Sequence, residues 1–315
     1  LVEQLAAFTQ VPYGDLPAAV VEESKRLLLD SIGAALAATD SPKGRIGIDY
    51  GRLQGASGRA TVIGTGDRLN IFGAAFANAE LINALDMDAI LPPGHVTPYV
   101  LPGALAVAED RGLPGQEVLR AIAIAHEMSW RIGKAMDYLR DTRDGQVATP
   151  CVYGYSSTVF GATAAIGLLQ GLSTDVMAHA LGIAGCISPV NAQMAWFDHA
   201  PSSTIKYLLG GTLTQAAMTA AHMAALGHRG DRMVLDDREV GYPRFMGTRR
   251  WEPTVIAAGL GSEWNFPAET SYKPYAHCRV LHALADVLID LVRTHALRPE
   301  EIDGIQVWVE GMVER

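Results

Sequence analysis

The sequence predicts a mainly α protein in which a large helical domain is followed by the start of a smaller α+β domain. Over the first three quarters of the chain, apolar residues recur at the spacing of helices that bury one face. Near the end, Ile305, Val307 and Val309 occupy alternate positions, as in a half-buried strand. Because a lone strand needs sheet partners, we expect a helical domain over residues 1–254 and an α+β domain over residues 255–315 that is incomplete at its C-terminal end.

Successive helices are predicted along the first domain. The segment Ile71–Leu85 is alanine-rich and almost uncharged, so we expect it to be buried on most sides. Ser173 has the position of an N-cap for a helix to about Ala184. In the second domain, the pattern predicts a helix from about Cys278 to Ala296 and a short strand around Thr254–Ala257. The remaining predicted helices are Pro17–Ala38, Pro102–Arg111, Gly115–Met136, Ser157–Leu169 and Ser203–Leu226.

Composition narrows the class of partner. The 315 residues are 49% apolar and 19% charged, which is typical of a chain with a buried core. The net charge of −9 argues against nucleic acid and anionic membranes as partners. Three cysteines at irregular spacing indicate reduced thiols in the cytoplasm, and neither a signal peptide nor a transmembrane helix is predicted.

Common cofactor motifs are absent from the sequence. It contains no Walker A loop, no HExxH, no paired CxxC and no GxSxG, and no convincing dinucleotide-binding loop. His277, Cys278 and His282 are close in sequence, but adjacent helical residues point in different directions and no second cluster completes a site. We therefore predict no metal and no organic cofactor.

One segment, residues 83–102, combines acids and a histidine with a rigid loop. Asp86 and Asp88 follow the buried helix, and His95 lies in the proline- and glycine-rich loop after them. This arrangement could hold an acid–base pair. It could equally be a helix terminator followed by a solvated loop.

Two lysines lie in other segments with candidate functional residues. Lys206 is placed just inside the predicted helix from Ser203, where free N–H groups and a positive charge suit a carboxylate. The alternative is an ordinary surface lysine. Lys273 is followed within nine residues by Tyr275, His277 and His282, a density of titratable groups that suggests a site, although internal packing would also explain it.

These segments together resemble the MmgE/PrpD family, whose members include 2-methylcitrate dehydratases, cis-aconitate decarboxylases and iminodisuccinate epimerases. The order and spacing of several short matches carry the resemblance, since no single one is highly specific. They are Leu29–Gly33, the run from Asn83 to Glu109, Gly115–Leu119, Ala125–Glu127, Arg131–Gly133, Phe160–Ala162, Ser203–Lys206, Gly227–Gly230 and Lys273–Tyr275.

The resemblance implies a helical domain with a smaller α/β lid, a homodimer, and a cofactor-independent site between the domains for a small di- or tricarboxylic acid. By position, Asp86, His95, Lys206 and Lys273 match groups that line this site. The resemblance implies that His95 is the acid–base group, Asp86 its partner, and the two lysines the groups that hold substrate carboxylates. The reaction expected is that of a lyase of the 2-methylcitrate dehydratase type. Alternatives are an epimerase or decarboxylase, a non-catalytic carboxylate-binding homologue, and a structural dimerisation module.

Further residues are expected to contact the substrate. Cys278 begins a cysteine–arginine pair common in the family, and its neighbour His277 is the rival candidate for facing the pocket. Tyr155 and Ser156 lie in a segment where many members carry a histidine at the position of Ser156. A serine cannot take up a proton near neutral pH, so this departure points to a substrate or reaction other than that of 2-methylcitrate dehydratases.

Overall fold

The computed structural model describes residues 1–55, 57–137, 141–143, 146–148, 150, 152–190, 192, 195–196, 199–201, 203–205 and 209–308, with 141–143 and 146–148 described in backbone only. The predicted mainly α fold is confirmed. The described helices begin with α1 (Val2–Phe8), α2 (Ala18–Ala38), α3 (Pro42–Gln54), α4 (Ile71–Asn83), α5 (Thr97–Arg111), α6 (Gly115–Ala135), α7 (Thr158–Gln170), α8 (Thr174–Ile187) and α9 (Gly210–Ala225). They are followed by α10 (Tyr242–Phe245), α11 (Pro253–Ala257), α12 (Phe266–Glu269) and α13 (His282–His295).

Helix α4 is the centre of the helical layer. It packs against α2, α3, α5 and α9, and its residues from Gly73 to Asn83 are all buried. Glycine permits a close contact between α3 and α4: a Cβ placed on Gly51 of α3 would lie 2.6 Å from the carbonyl oxygen of Gly73, so no larger residue fits there. The side chain of Asn70 caps α4 by accepting the N–H of Gly73 at 2.8 Å.

Among the described residues, three antiparallel hairpins interrupt the helices. They are β1 (Ala60–Thr61) with β2 (Arg68–Leu69), β3 (Ile90–Leu91) with β4 (Gly94–His95), and β5 (Asp141–Arg143) with β6 (Gln146–Ala148). The second hairpin pairs Ile90 with His95, and Ile90 also bridges Ser271 much later in the chain. This bridge brings the segment of Lys273 to the segment of His95.

A buried ion pair of α6 contacts α11 and the residues that follow it. Arg131 and Glu127 of α6 lie 2.8 Å apart with side chains about 1% and 0% exposed. Arg131 donates to the carbonyl oxygens of Ile256 and Ala258 and, at 2.8 Å, to that of Glu263. Because an unpartnered charge is costly in a core, these contacts fix where the later segment lies on α6.

Several boundaries differ from the predictions. Residues 253–257 form helix α11 and not a strand, because Pro253 is favourable in the first turn of a helix and a short apolar run does not discriminate the two structures. Helix α9 begins at Gly210, after the predicted start at Ser203. Residues 302–308 form no strand in the described chain, since no described segment lies beside them as a partner, and Val309 is outside the described residues. No described helix has the length and apolar character needed to cross a bilayer.

Candidate active site

The turn after α4 brings two carboxylates into the interior. Asp86 adopts a left-handed backbone conformation with φ of 52°, which aspartate tolerates better than most residues. Asp86 is 8% exposed and Asp88 is fully buried. An ionised carboxylate in such a place needs positive or hydrogen-bonding partners, and the surrounding elements supply them.

The second hairpin holds His95 beside these acids. Its turn requires glycine at position 94, where φ is +143° and a Cβ would lie 1.8 Å from Cε1 of Tyr155. The ring of Tyr155, from the turn before α7, therefore packs directly on the hairpin, edge-on to the imidazole at 5.7 Å between ring centres. Tyr155 and His95, both predicted to belong to the site, lie together in the structure.

The imidazole of His95 lies between the two carboxylates. Its Nδ1 is 2.6 Å from Oδ2 of Asp88, and its Nε2 is 3.5 Å from Oδ1 of Asp86. The shorter contact belongs to Asp88, although the sequence analysis had given the partner role to Asp86. The sequence contained a signal for a contact with Asp88, because residues 86 and 88 both lie at the start of the loop that leads to His95.

Lys273 completes the cluster from the far end of the chain. Its ammonium donates to Oδ1 of Asp86 at 2.8 Å and to the backbone oxygen of the same residue at 2.7 Å. The lysine side chain is only 2% exposed. An ammonium has three N–H donors, so Asp86 takes two of them.

The polar contacts continue behind Asp88. Asn83, the last residue of α4, donates from Nδ2 to Oδ1 of Asp88 at 3.1 Å. Its own Oδ1 accepts from Lys43 of α3 at 2.8 Å, and Lys43 also lies 3.9 Å from Glu80. Sequence reasoning missed Asn83 and Lys43, because no sequence pattern shows which residues of two helices will meet.

Asp86, Asp88 and His95 each offer a possible metal-binding atom, and these atoms lie within 4.8 Å of one another. These possible ligand atoms already take part in hydrogen bonds, however. Oδ1 of Asp86 is bonded to the Lys273 ammonium and Oδ2 of Asp88 to His95. A cation would have to displace an ammonium and an imidazole N–H, so this arrangement suits acid–base chemistry better than metal binding.

Burial raises the pKa values of two carboxyl groups near the cluster. Burial, reinforced by the charge of Asp88, raises the pKa of Asp30 in α2 to about 6, although a hydrogen bond from the Ala89 N–H opposes the shift. Burial also raises the pKa of Glu80, against the charge of Lys43 and hydrogen bonds from Gly211 and Gly210. Each of these two carboxyl groups is therefore easier to protonate than a free one.

A cavity of about 320 Å³ lies against the second hairpin. Its described lining consists of hairpin residues 90–94 together with Gly133, Asp137, Glu269 and Arg279. Arg279, from the predicted cysteine–arginine pair, thus faces the hairpin that carries His95. His95 itself is not among the described lining residues.

The other predicted residues have different positions. Lys206 lies outside the described residues. Ser156 is 1% exposed, and its hydroxyl has no hydrogen-bond partner within the described part of the chain. His277 packs within its own segment, stacked on Tyr275 at 5.6 Å and edge-on to His282 at 4.6 Å, while Cys278 beside it is half-buried. These two residues are therefore weaker candidates than the cluster around His95.

Comparison with known proteins identifies relatives over most of the chain. The model of the MmgE/PrpD N-terminal domain matches residues 3–254. Human cis-aconitate decarboxylase is 29% identical over 301 residues, which cover 91% of this chain and 59% of the relative. Cis-aconitate decarboxylase of Aspergillus terreus is 28% identical over 293 residues, covering 89% and 58%. The mouse enzyme of the same name is 26% identical over 290 residues, covering 89% and 56%. The chain therefore spans somewhat under three fifths of the length of these relatives.

Proposed function

We propose, from the premise that this chain belongs to the MmgE/PrpD family, that it is a carboxy-lyase acting on a small unsaturated tricarboxylate of the cis-aconitate type. The observation that carries the proposal is the buried imidazole of His95 between two carboxylates, with the Lys273 ammonium on one of them. The curated relatives, which are cis-aconitate decarboxylases, support decarboxylation over the dehydration that the sequence analysis had favoured.

The chemistry of such a substrate explains why acid–base groups suffice. One of its carboxylates is on a methylene group next to the C=C bond. When the bond from this methylene to CO₂ breaks, its electron pair forms a new C=C bond. The original C=C bond then takes up a proton at its far carbon, so one proton is consumed and one CO₂ is released. The reaction needs a proton donor and fixed positive charge for the developing anion, and the proposal requires no metal or organic cofactor.

The residues of the cluster have separate roles in this proposal. His95, protonated on both nitrogens, donates a proton from Nε2 to the substrate carbon. Asp86 and Lys273 bind each other on the Nε2 side, where the remaining N–H of Lys273 can donate to a substrate carboxylate. Lys206 supplies a second positive charge, and the lid and the homodimer implied by the family stay predictions.

The decisive experiment incubates the protein with cis-aconitate and follows CO₂ release together with the ¹H NMR signals of the new terminal =CH₂ group. We expect turnover, and we expect His95→Gln to lower kcat by about 10²–10⁴, the usual contribution of a general acid. A dehydratase would instead create absorbance from 2-methylcitrate or citrate and release no CO₂. Turnover of cis-aconitate by His95→Gln at the wild-type rate would remove His95 from the mechanism.

A further inference from the structure

A line of buried polar contacts connects His95 with a lysine on another helix. Lys43 of α3 donates to Asn83, Asn83 donates to Asp88, and Asp88 contacts Nδ1 of His95. The distances are 2.8, 3.1 and 2.6 Å in that order. The Asp88 side chain is fully buried and that of His95 is 4% exposed, whereas Lys43 reaches the edge of the protein at 18%.

The chemistry of the groups fixes the direction of each hydrogen bond. An ammonium can only donate, so the amide oxygen of Asn83 must face Lys43 and its NH₂ must face Asp88. An ionised carboxylate can only accept. Asp88 therefore receives one hydrogen from Asn83 and one from Nδ1 of His95. Consequently Nδ1 carries a hydrogen, and Nε2 is the nitrogen on the side of Asp86 and Lys273.

We propose that Asp88, oriented by Asn83 and Lys43, is a positioning residue that fixes the tautomer and the ring orientation of His95, a role that rests on the proposed function. A histidine held in this way always presents the same nitrogen to the substrate. A carboxylate on the other nitrogen also stabilises the imidazolium that donates the proton. Asp86 then remains the group on the reacting side, and Asp88 acts only through His95.

The line of contacts could alternatively be a purely structural network that joins α3 to α4. In that case its residues would contribute to the stability of the fold and would leave the state of the imidazole unchanged. The two roles differ in what happens to the His95 nitrogens, which can be observed without any assay of activity.

The experiment uses protein labelled with ¹⁵N in its histidines and records long-range ¹H–¹⁵N spectra, with His95→Gln identifying the relevant signals. In the wild type we expect the hydrogen on Nδ1. In Asp88→Asn, whose amide can donate to Nδ1, we expect the hydrogen to move to Nε2. We also expect kcat to fall by about 10²–10⁴ with KM within about threefold, as for a triad in which the wrong tautomer is held.

Asn78, a second asparagine of α4, provides a matched control for Asn83. Asn78 is 2% exposed and also makes two hydrogen bonds, accepting the Ile63 N–H and donating to the Thr61 oxygen, both at 2.9 Å. Asn83→Ala and Asn78→Ala should each cost about 1–3 kcal/mol of stability for the groups left unpaired. Only Asn83→Ala should lower kcat and disturb the His95 signals.

The outcomes separate the two proposals. An unchanged tautomer in Asp88→Asn, or equal losses of kcat in the two asparagine variants, would overturn the positioning role. A tautomer that shifts in a protein unable to decarboxylate cis-aconitate would support control of His95 by Asp88 and refute the proposed function.

Discussion

The Lys273–Asp86 pair is the strongest test of the electrostatics of the cluster. Their charged atoms are 2.8 Å apart and the side chains are 2% and 11% exposed. At an effective dielectric constant near 20, the attraction at this distance is about 6 kcal/mol before desolvation is counted. In Lys273→Met, the carboxylate of Asp86 stays buried near Asp88 without its ammonium. We expect this to cost about 3–5 kcal/mol of unfolding free energy.

A double-mutant cycle isolates the interaction from other effects of the substitutions. Asp86→Asn combined with Lys273→Met removes both charges, so no unpaired ion is buried. The double variant should therefore be more stable than the sum of the single losses implies, by about 2–3 kcal/mol. Urea unfolding followed by far-ultraviolet circular dichroism measures each free energy, and this coupling should persist in high salt because buried pairs are weakly screened.

The exposed pair Lys134–Glu269 serves as the control. Its atoms are 3.1 Å apart but its side chains are 27% and 38% exposed. The corresponding cycle with Lys134→Met and Glu269→Gln should give a coupling of about 0–1 kcal/mol that decreases with salt. If the Lys273–Asp86 coupling is equally small and equally sensitive to salt, the buried cluster described above does not exist in solution.

Two other substitutions probe the surroundings of the cluster. Since the pKa of Asp30 is raised from 3.8 to about 6, the folded chain binds this proton more tightly than the unfolded chain, and the wild type loses stability as pH rises through this interval. Asp30→Asn should therefore be more stable than the wild type above about pH 6 and equally stable below about pH 4. Thermal unfolding at a series of pH values measures this difference. Gly94→Ala should lower the free energy of unfolding by about 1–3 kcal/mol, because its Cβ would overlap the Tyr155 ring. Gly66→Ala is the control and should have little effect, since a Cβ there meets nothing within 4 Å. Equal urea midpoints for the two alanine variants would contradict this packing.

The sequence alone was sufficient to predict the helical class and some members of the cluster around His95. Long segments with helical periodicity are the strongest signal that a sequence carries, and α4 and α6 agree closely with their predicted ranges. The cluster members Asp86, His95 and Lys273 were also predicted from the sequence. Each lies where titratable side chains meet a rigid loop, a local feature that needs no knowledge of packing.

The rest of the site depends on contacts between distant segments. Lys43 and Asn83 are 40 residues apart, and only the close crossing of α3 and α4 brings their side chains together. That Asp88 makes the shorter contact with His95 could not be predicted, for a similar reason. Both Asp86 and Asp88 were candidates, but the left-handed turn at Asp86 decides which carboxylate faces which nitrogen.

In the proposed function, the charges of the cluster connect the binding of an anionic substrate with the protonation of His95. With a neutral imidazole, Asp86, Asp88 and Lys273 together carry one net negative charge, and an approaching carboxylate would be repelled. With an imidazolium the cluster is neutral, and its N–H at Nε2 can approach the substrate. Under the proposed function, binding of the substrate anion and uptake of a proton by the cluster therefore favour each other by linkage. Asp88 contributes here by accepting the hydrogen on Nδ1, so the added proton must be on Nε2, the nitrogen from which it can be transferred.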